Sequence, residues 1–251
     1  MESNDLAIMN RALMMLAEKH ELVAHGCLEI AEDVANTGIA VKLKTDDGRK
    51  WRLLPWRVER RFCELKNIIA GRTLEDVSTL RFSVFTAGTP LEWVMYREFD
   101  LCEWLGDVPV KSLFAVQNGS VSVNLIVELA NQIICSIECG NKLPVGTGPI
   151  DRHEIIARRG IASDRVVDTQ VPQASIYLFA NGVEKRFMDT DAELFGLSAE
   201  TLGLVRSALA VLKDPETGTL WLRQHERLSR QIAATAQTGK TGQPVLFQEK
   251  K

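Results

Sequence analysis

Between Gly160 and Gln173 the chain carries Asp164, Arg165, Asp168 and Gln170, set between two apolar stretches. Carboxylates, a guanidinium and an amide supply directional hydrogen bonds of both polarities, which suits a hydroxyl-rich ligand such as a sugar. A solvated connection whose charges pair with one another has the same composition, so both readings stand. A second cluster, Asp151, Arg152 and His153, follows the glycine-rich stretch Gly146-Thr147-Gly148-Pro149. A loop of that kind at the end of a sheet either meets a ligand or turns the chain. The four histidines, His20, His25, His153 and His225, show no His-x-x-x-His spacing, and no metal site is expected. Gly239-Lys240-Thr241 matches only the end of a phosphate-binding loop, whose first glycine would fall at Ala234 inside a helix. No Gly-x-Gly-x-x-Gly occurs anywhere, so the backbone cradle that grips a dinucleotide pyrophosphate at a helix mouth is missing.

Composition narrows the partners. The chain has 251 residues, 30 Lys and Arg against 33 Asp and Glu, and a formal net charge of -3. A nucleic-acid or membrane-surface binder would concentrate basic charge on one face. The one basic group, Arg57, Arg60 and Arg61, is interrupted by Val58 and Glu59 and reads as a solvated helix face. No apolar run approaches the roughly 20 residues that span a bilayer, and no basic segment with an apolar signal core follows Met1. The expectation is a cytoplasmic protein. Its five cysteines are scattered, with no Cys-x-x-Cys. Cys135 and Cys139 fall on one strand about 13 Å apart, too far for a disulfide, and read as small buried side chains.

These residues need elements to hold them. Asn4 to about Gly26 has helical spacing at Leu6, Ile8, Met9, Leu13 and Leu16, and Leu28 to Asn36 reads as a second helix closed by Thr37-Gly38. Ile39 to Leu43 alternates like a strand. Asp47-Gly48 signals a tight turn, and Trp51 to Leu54 pairs back as a hairpin. Arg57 to Ala70 is helical, Val77 to Phe85 alternates, and Leu91 to Leu105 is helical again. Leu113 to Val116 is a strand. Val121 to Leu129 and Ile133 to Cys139 alternate strictly, which predicts an antiparallel meander with one buried face. Ile155 to Ile161, Ser175 to Phe179 and Val183 to Phe187 read as further strands. Ala192 to Leu197, Ala199 to Lys213 and Leu220 to Ala236 read as helices, with Asp214-Pro215 and Gly218 separating the last two. A polar tail, Thr238 to Gln243, precedes a possible edge strand at Val245-Leu246-Phe247. The fold class is α+β: an open, mainly antiparallel sheet with helices on one face, plus a small N-terminal α/β piece.

The order of three motifs carries a resemblance. Phe62-Cys63-Glu64-Leu65-Lys66-Asn67-Ile68-Ile69-Ala70-Gly71 is followed by a strand. Next comes a helix ending Phe99-Asp100-Leu101-Cys102-Glu103-Trp104-Leu105-Gly106, and the chain closes with Thr241-Gly242-Gln243-Pro244-Val245. Over about three quarters of its length the chain resembles the C-terminal domain of the glucose–fructose oxidoreductase / inositol dehydrogenase / MocA family. The resemblance implies that residues 1–56 are a truncated Rossmann-like remnant and residues 57–251 the sheet domain. It places Glu18-Lys19-His20 where the family has Glu-Lys-Pro beside the nicotinamide, which makes Lys19 a candidate catalytic residue. It also places Arg97 and Asp100 on the family's catalytic helix, and implies that the sheet's other face packs on a second subunit.

The match departs where the chemistry lies. Arg97 stands where the family has histidine, and Trp93 stands where it has an acid or lysine. Removing a proton from a sugar hydroxyl near neutral pH needs an acceptor, and a guanidinium stays protonated. The resulting expectation is a non-catalytic or partner-dependent, homo-oligomerising, sugar- or polyol-binding protein with no cofactor on the isolated chain. Its ligand groups would be Asp164, Arg165, Asp168, Gln170 and His153. The alternative is an NAD(P)-dependent sugar or polyol oxidoreductase with an incomplete cofactor domain, or with that domain on a separate dinucleotide-binding subunit.

Overall fold

A computed structural model of the chain describes residues 3–158, 160–164, 176–180, 183–187 and 194–247. Two compact units emerge. The first comprises residues 1–34, 39–59 and 166–222, and the second 35–38, 60–165 and 223–251. The chain passes from one to the other at Glu59 and Arg60, as elsewhere, and the first unit takes residues 166–222 as well as chain from the N-terminal end.

In the first unit, helix α1 (Ser3–Lys19) buries Met9, Ala12, Leu13, Leu16 and Ala17. The predicted helix from Leu28 to Asn36 is instead a strand, β1 (Gly26–Ile30), and a short helix, α2 (Val34–Thr37). Pairing decides this: β1 runs antiparallel to β2 (Val41–Thr45), and the Asn10 side chain binds both the N–H and the carbonyl of Leu28. Backbone groups claimed by a neighbouring strand and by a side chain override a local helical preference. Strand β3 (Lys50–Arg52) completes the hairpin across Asp47-Gly48, where Gly48 takes a φ of 83°. All three strands pair antiparallel, whereas a Rossmann sheet is mostly parallel. Strands β10 (Ile176–Ala180) and β11 (Val183–Phe187) form a separate hairpin.

Helix α5 (Ala199–Lys213) is capped by Ser198, which accepts from the Thr201 N–H, and it carries most of the apolar side chains of that region. Helix α6 (Pro215–Thr241) is far longer than Leu220 to Ala236. Pro215 opens this helix rather than separating it, because a proline at the first turn loses no hydrogen bond. Gly218 lies inside it because a Cβ there would stand 2.6 Å from the Trp51 ring. The predicted helix at 192–197 falls partly outside the described residues.

The second unit holds the large sheet. Helix α3 (Arg60–Ala70) and helix α4 (Leu91–Gly106) accompany strands β4 (Val77–Phe85), β5 (Val110–Asn118), β6 (Ser122–Leu129), β7 (Ile134–Gly140), β8 (Ile150–Ala157) and β9 (Gly160–Ser163). With β12 (Val245–Leu246) they form seven strands in the order β12-β5-β6-β7-β4-β8-β9. Every neighbouring pair is antiparallel except β4 with β7. The strand expected from Ile155 to Ile161 is a hairpin, β8 turning into β9, so Ile155 and Ile161 lie on different strands. Alternation sends Leu80, Phe82, Val84, Leu125, Val127, Cys135, Ile137, Cys139, His153 and Ile155 into the interior. Among the described residues, no helix is long and apolar enough to cross a membrane.

Candidate functional site

The buried face of the sheet contains a patch of charge. His153 on β8 pairs across the ladder with Phe82 on β4, and both side chains are closed to solvent. Its two ring nitrogens each meet a carboxylate: Nε2 stands 2.8 Å from Glu98 Oε2 on α4, and Nδ1 stands 2.7 Å from Asp164 Oδ2 just beyond β9. A carboxylate can only accept when ionised, so both nitrogens donate and the ring is an imidazolium. Burial works against that charge, but Glu98 and then Asp164 outweigh it and push the pKa up to about 9.

The remaining groups close the patch. Arg97 donates from Nε to Glu98 at 2.6 Å and forks onto Asp151 through its two terminal nitrogens, at 2.7 and 3.2 Å. Arg61 donates to Asp151 at 2.8 Å and to Asp164 at 3.3 Å. The backbone N–H of His153 donates to the second oxygen of Asp164 at 2.8 Å. Three cations, Arg61, Arg97 and His153, thus meet three carboxylates, Glu98, Asp151 and Asp164. Phe62 lies edge-on to the His153 ring at 4.8 Å with the Arg61 guanidinium 4.2 Å above its own face. Burial raises the Glu98 carboxyl, but Arg97 and then His153 hold it below its usual range. Asp151 is pulled down to about 2, against its burial, chiefly by Arg97 and then Arg61. Only the rim is open: the side chains of Arg61, Arg97 and Asp151 are 32 %, 20 % and 20 % exposed.

The structure brings together four of the residues singled out from the sequence: Arg97, Asp151, His153 and Asp164. Arg165, Asp168 and Gln170 lie outside the described residues. Asp100 is fully buried on α4, and the patch draws its helix carboxylate from Glu98, two residues earlier. Lys19 is an exposed residue at the end of α1, in the first unit. Glu98 went unnoticed from sequence, and Arg61, expected on a solvated helix face, is instead partly buried against Asp151 and Asp164. The only local signal of Glu98 is a charge at a position where helical periodicity demands an apolar residue.

The position four residues before Arg97 is equally telling. Trp93 donates from its indole N–H to the Ala35 carbonyl at 2.9 Å, and its ring fits against Gly38, where a Cβ would approach to 2.8 Å. Gly38 also needs its φ of 73°, so the fit depends on glycine twice over. Trp93 is thus an aromatic packing group against the Gly38 backbone.

Among the described residues, the first strand–helix step offers a dinucleotide no fitting cradle. The step from β1 into α2 contains no glycine and leads into four residues of helix, and the sheet is antiparallel. No group of three metal-ligating side chains is present among the described residues.

No protein-family model matches the chain, and no curated protein matches it in sequence. Solved structures do match its fold. One is scyllo-inositol dehydrogenase from Lactobacillus casei with bound cofactor NAD(H) and scyllo-inositol, at TM-score 0.53 and 11% identity, covering 77% of this chain and 63% of that one. Another is myo-inositol 2-dehydrogenase from Lactobacillus plantarum, at 0.54 and 11%, covering 78% and 64%. A third is a myo-inositol dehydrogenase from Corynebacterium glutamicum, at 0.52 and 12%, covering 78% and 63%. The likeness is one of fold, to inositol dehydrogenases of the type that the sequence resembles. The chain spans less than two thirds of the length of each.

Proposed function

We propose that the chain is a non-catalytic or partner-dependent relative of the inositol-dehydrogenase fold, an oligomerising domain that binds a sugar or polyol and acts in the cytoplasm. One observation carries this reading. Arg97, which the resemblance aligns with the family's proton acceptor, has its guanidinium committed to Glu98 and Asp151, and burial alone cannot deprotonate it against those two carboxylates. The nearby His153 is no substitute, since it is fully buried and already protonated on both nitrogens. The open rim of Asp151, Arg61 and Arg97 offers one acceptor between two donors, a pattern that suits hydroxyl groups. Val116, Ile126 and Ile134 are exposed apolar residues on the uncovered side of the sheet and support self-association there.

The test is direct. Purified chain, mixed with NAD(H) or NADP(H) and a panel of polyols and aldoses, should show no nicotinamide turnover, while titration calorimetry should detect a polyol. Turnover by the chain alone would overturn the reading.

A second reading rests on the fold match, because the matched Lactobacillus casei enzyme holds NAD(H) and scyllo-inositol. Here the chain would work as an NAD(P)-dependent sugar or polyol oxidoreductase with a separate dinucleotide-binding subunit, and Lys19 would face the nicotinamide. Co-purification of such a subunit, with activity abolished by Lys19→Ala, would favour it.

A further inference from the structure

We infer that His153 is a proton-operated latch: its imidazolium ties α4 to the outer strand β9, and loss of the proton frees the Asp164 end of β9 while the link to Glu98 persists. The inference stands on the geometry of the charged patch and not on the identity of any ligand.

A neutral imidazole keeps one N–H, so it can donate to only one of its two carboxylates. The other nitrogen then points a lone pair at an anion less than 3 Å away, and that contact must open. Which contact opens follows from what each carboxylate rides on. Glu98 is fixed in the middle of a sixteen-residue helix and has no exposed surface. It cannot withdraw without carrying α4 with it. Asp164 follows a four-residue strand that, among the described residues, is the last in the sheet and pairs on one side only, with β8. Releasing it costs a short edge strand rather than a core helix. The proton therefore stays on Nε2 toward Glu98, and the Nδ1 side lets go.

Among the described residues, the charged groups around the ring all point the same way. From α4 come Glu98 and Arg97, from α3 Arg61, from β8 Asp151 at 3.8 Å, and from the end of β9 Asp164. From β7 come only Cys135 and Cys139, whose thiols burial pushes well above their ordinary range and so keeps neutral. With His153 protonated, three cations face three anions. Once hydroxide takes the proton, two arginines face three carboxylates, and the uncompensated charge favours moving one carboxylate into water. Asp164 is the one that can move. Its departure also strips Arg61 of one of its two carboxylate partners and loosens the rim from that side.

The test uses the full chain. Imidazole nitrogen NMR reports the protonation state of His153, and hydrogen exchange, corrected for base catalysis, reports protection of the backbone amides of residues 161–164. At neutral pH both ring nitrogens should carry protons. Between about pH 8 and pH 10, protection at β9 should fall by roughly tenfold or more as the ring titrates, while amides of β6 keep theirs. Asp164→Asn should show the low β9 protection already at neutral pH. The wild-type series decides the matter alone if that variant does not fold. A neutral ring at pH 7, unchanged β9 protection while the ring titrates, or equal loss in β6 and β9 would each overturn the latch.

Discussion

Helix α4 buries two glutamates five residues apart, Glu98 and Glu103, and the protein satisfies them in opposite ways. Glu98 is held by charge, with Arg97 on one oxygen and the His153 imidazolium on the other. Glu103 is held mainly by neutral donors: the Val110 N–H at 2.9 Å and the side-chain amides of Gln224 and Gln231, each at 2.7 Å. Arg227 adds one cationic contact at 3.1 Å from a half-exposed position. The first arrangement joins α3, α4 and the sheet around a group that can lose a proton. The second staples α4 to α6 with amides that never titrate. Burial of a carboxylate therefore predicts neither function nor pH sensitivity. The chemistry of the donors does.

The contrast can be broken or sharpened by measurement. The largest effect is expected from Glu98→Ala, which leaves His153 and Arg97 facing one carboxylate too few in a dry site. Denaturant unfolding at neutral pH should show a loss of about 3–5 kcal/mol, the usual cost of orphaning a buried charge. Alkaline pH comes next. The folded His153 has its pKa raised from 6.5 to about 9, so between those values the folded state holds a proton that the unfolded state has shed. Its contribution is complete below the unfolded value and is lost as pH climbs through about 9. At 1.36 kcal/mol per unit that is roughly 3 kcal/mol. Stability curves of Glu98→Gln should be much flatter over this window, whereas those of Glu103→Gln should keep the wild-type slope. If both variants kept the slope, the charge-held and amide-held sites would not differ as described.

Glu103→Ala should cost about 2–3 kcal/mol, since it strands several buried donors, and the one charge it leaves, on Arg227, is half-exposed. Arg227→Ala should cost less than about 1 kcal/mol, because its pairing is half-exposed and three donors to Glu103 remain. Finding Arg227 dominant would mean that Glu103 too is held by charge.

Much of the scaffold was legible in the chain. Strict alternation from Val121 to Cys139 located the central strands, and the spacing of Trp93, Phe99, Leu101, Trp104 and Leu105 located α4, because a half-buried strand and a helix facing a core repeat with different periods. The misreadings share a cause. Leu28 has helical neighbours but pairs with Leu43 in β2, and Gly218 looks like a break but is the only residue that fits under Trp51. In both cases a partner distant in sequence outweighed a local preference.

The site divides along the same line. The sequence by itself determined that no glycine cradle is present and that Arg97 cannot accept a proton at neutral pH, since both follow from residue type alone. It also marked Asp164 as a polar residue between apolar stretches and His153 as part of a loop. The structure places His153 on strand β8 instead, because pairing with β4 extends the chain there. Only the tertiary structure decided that Glu98, fifty-five residues from His153 along the chain, closes one side of that ring while Asp164 closes the other. The physical reason is that a carboxylate's role is set by which donors the fold delivers to it, and those donors, Arg61 on α3, Arg97 on α4 and His153 on β8, lie on elements that no local pattern connects.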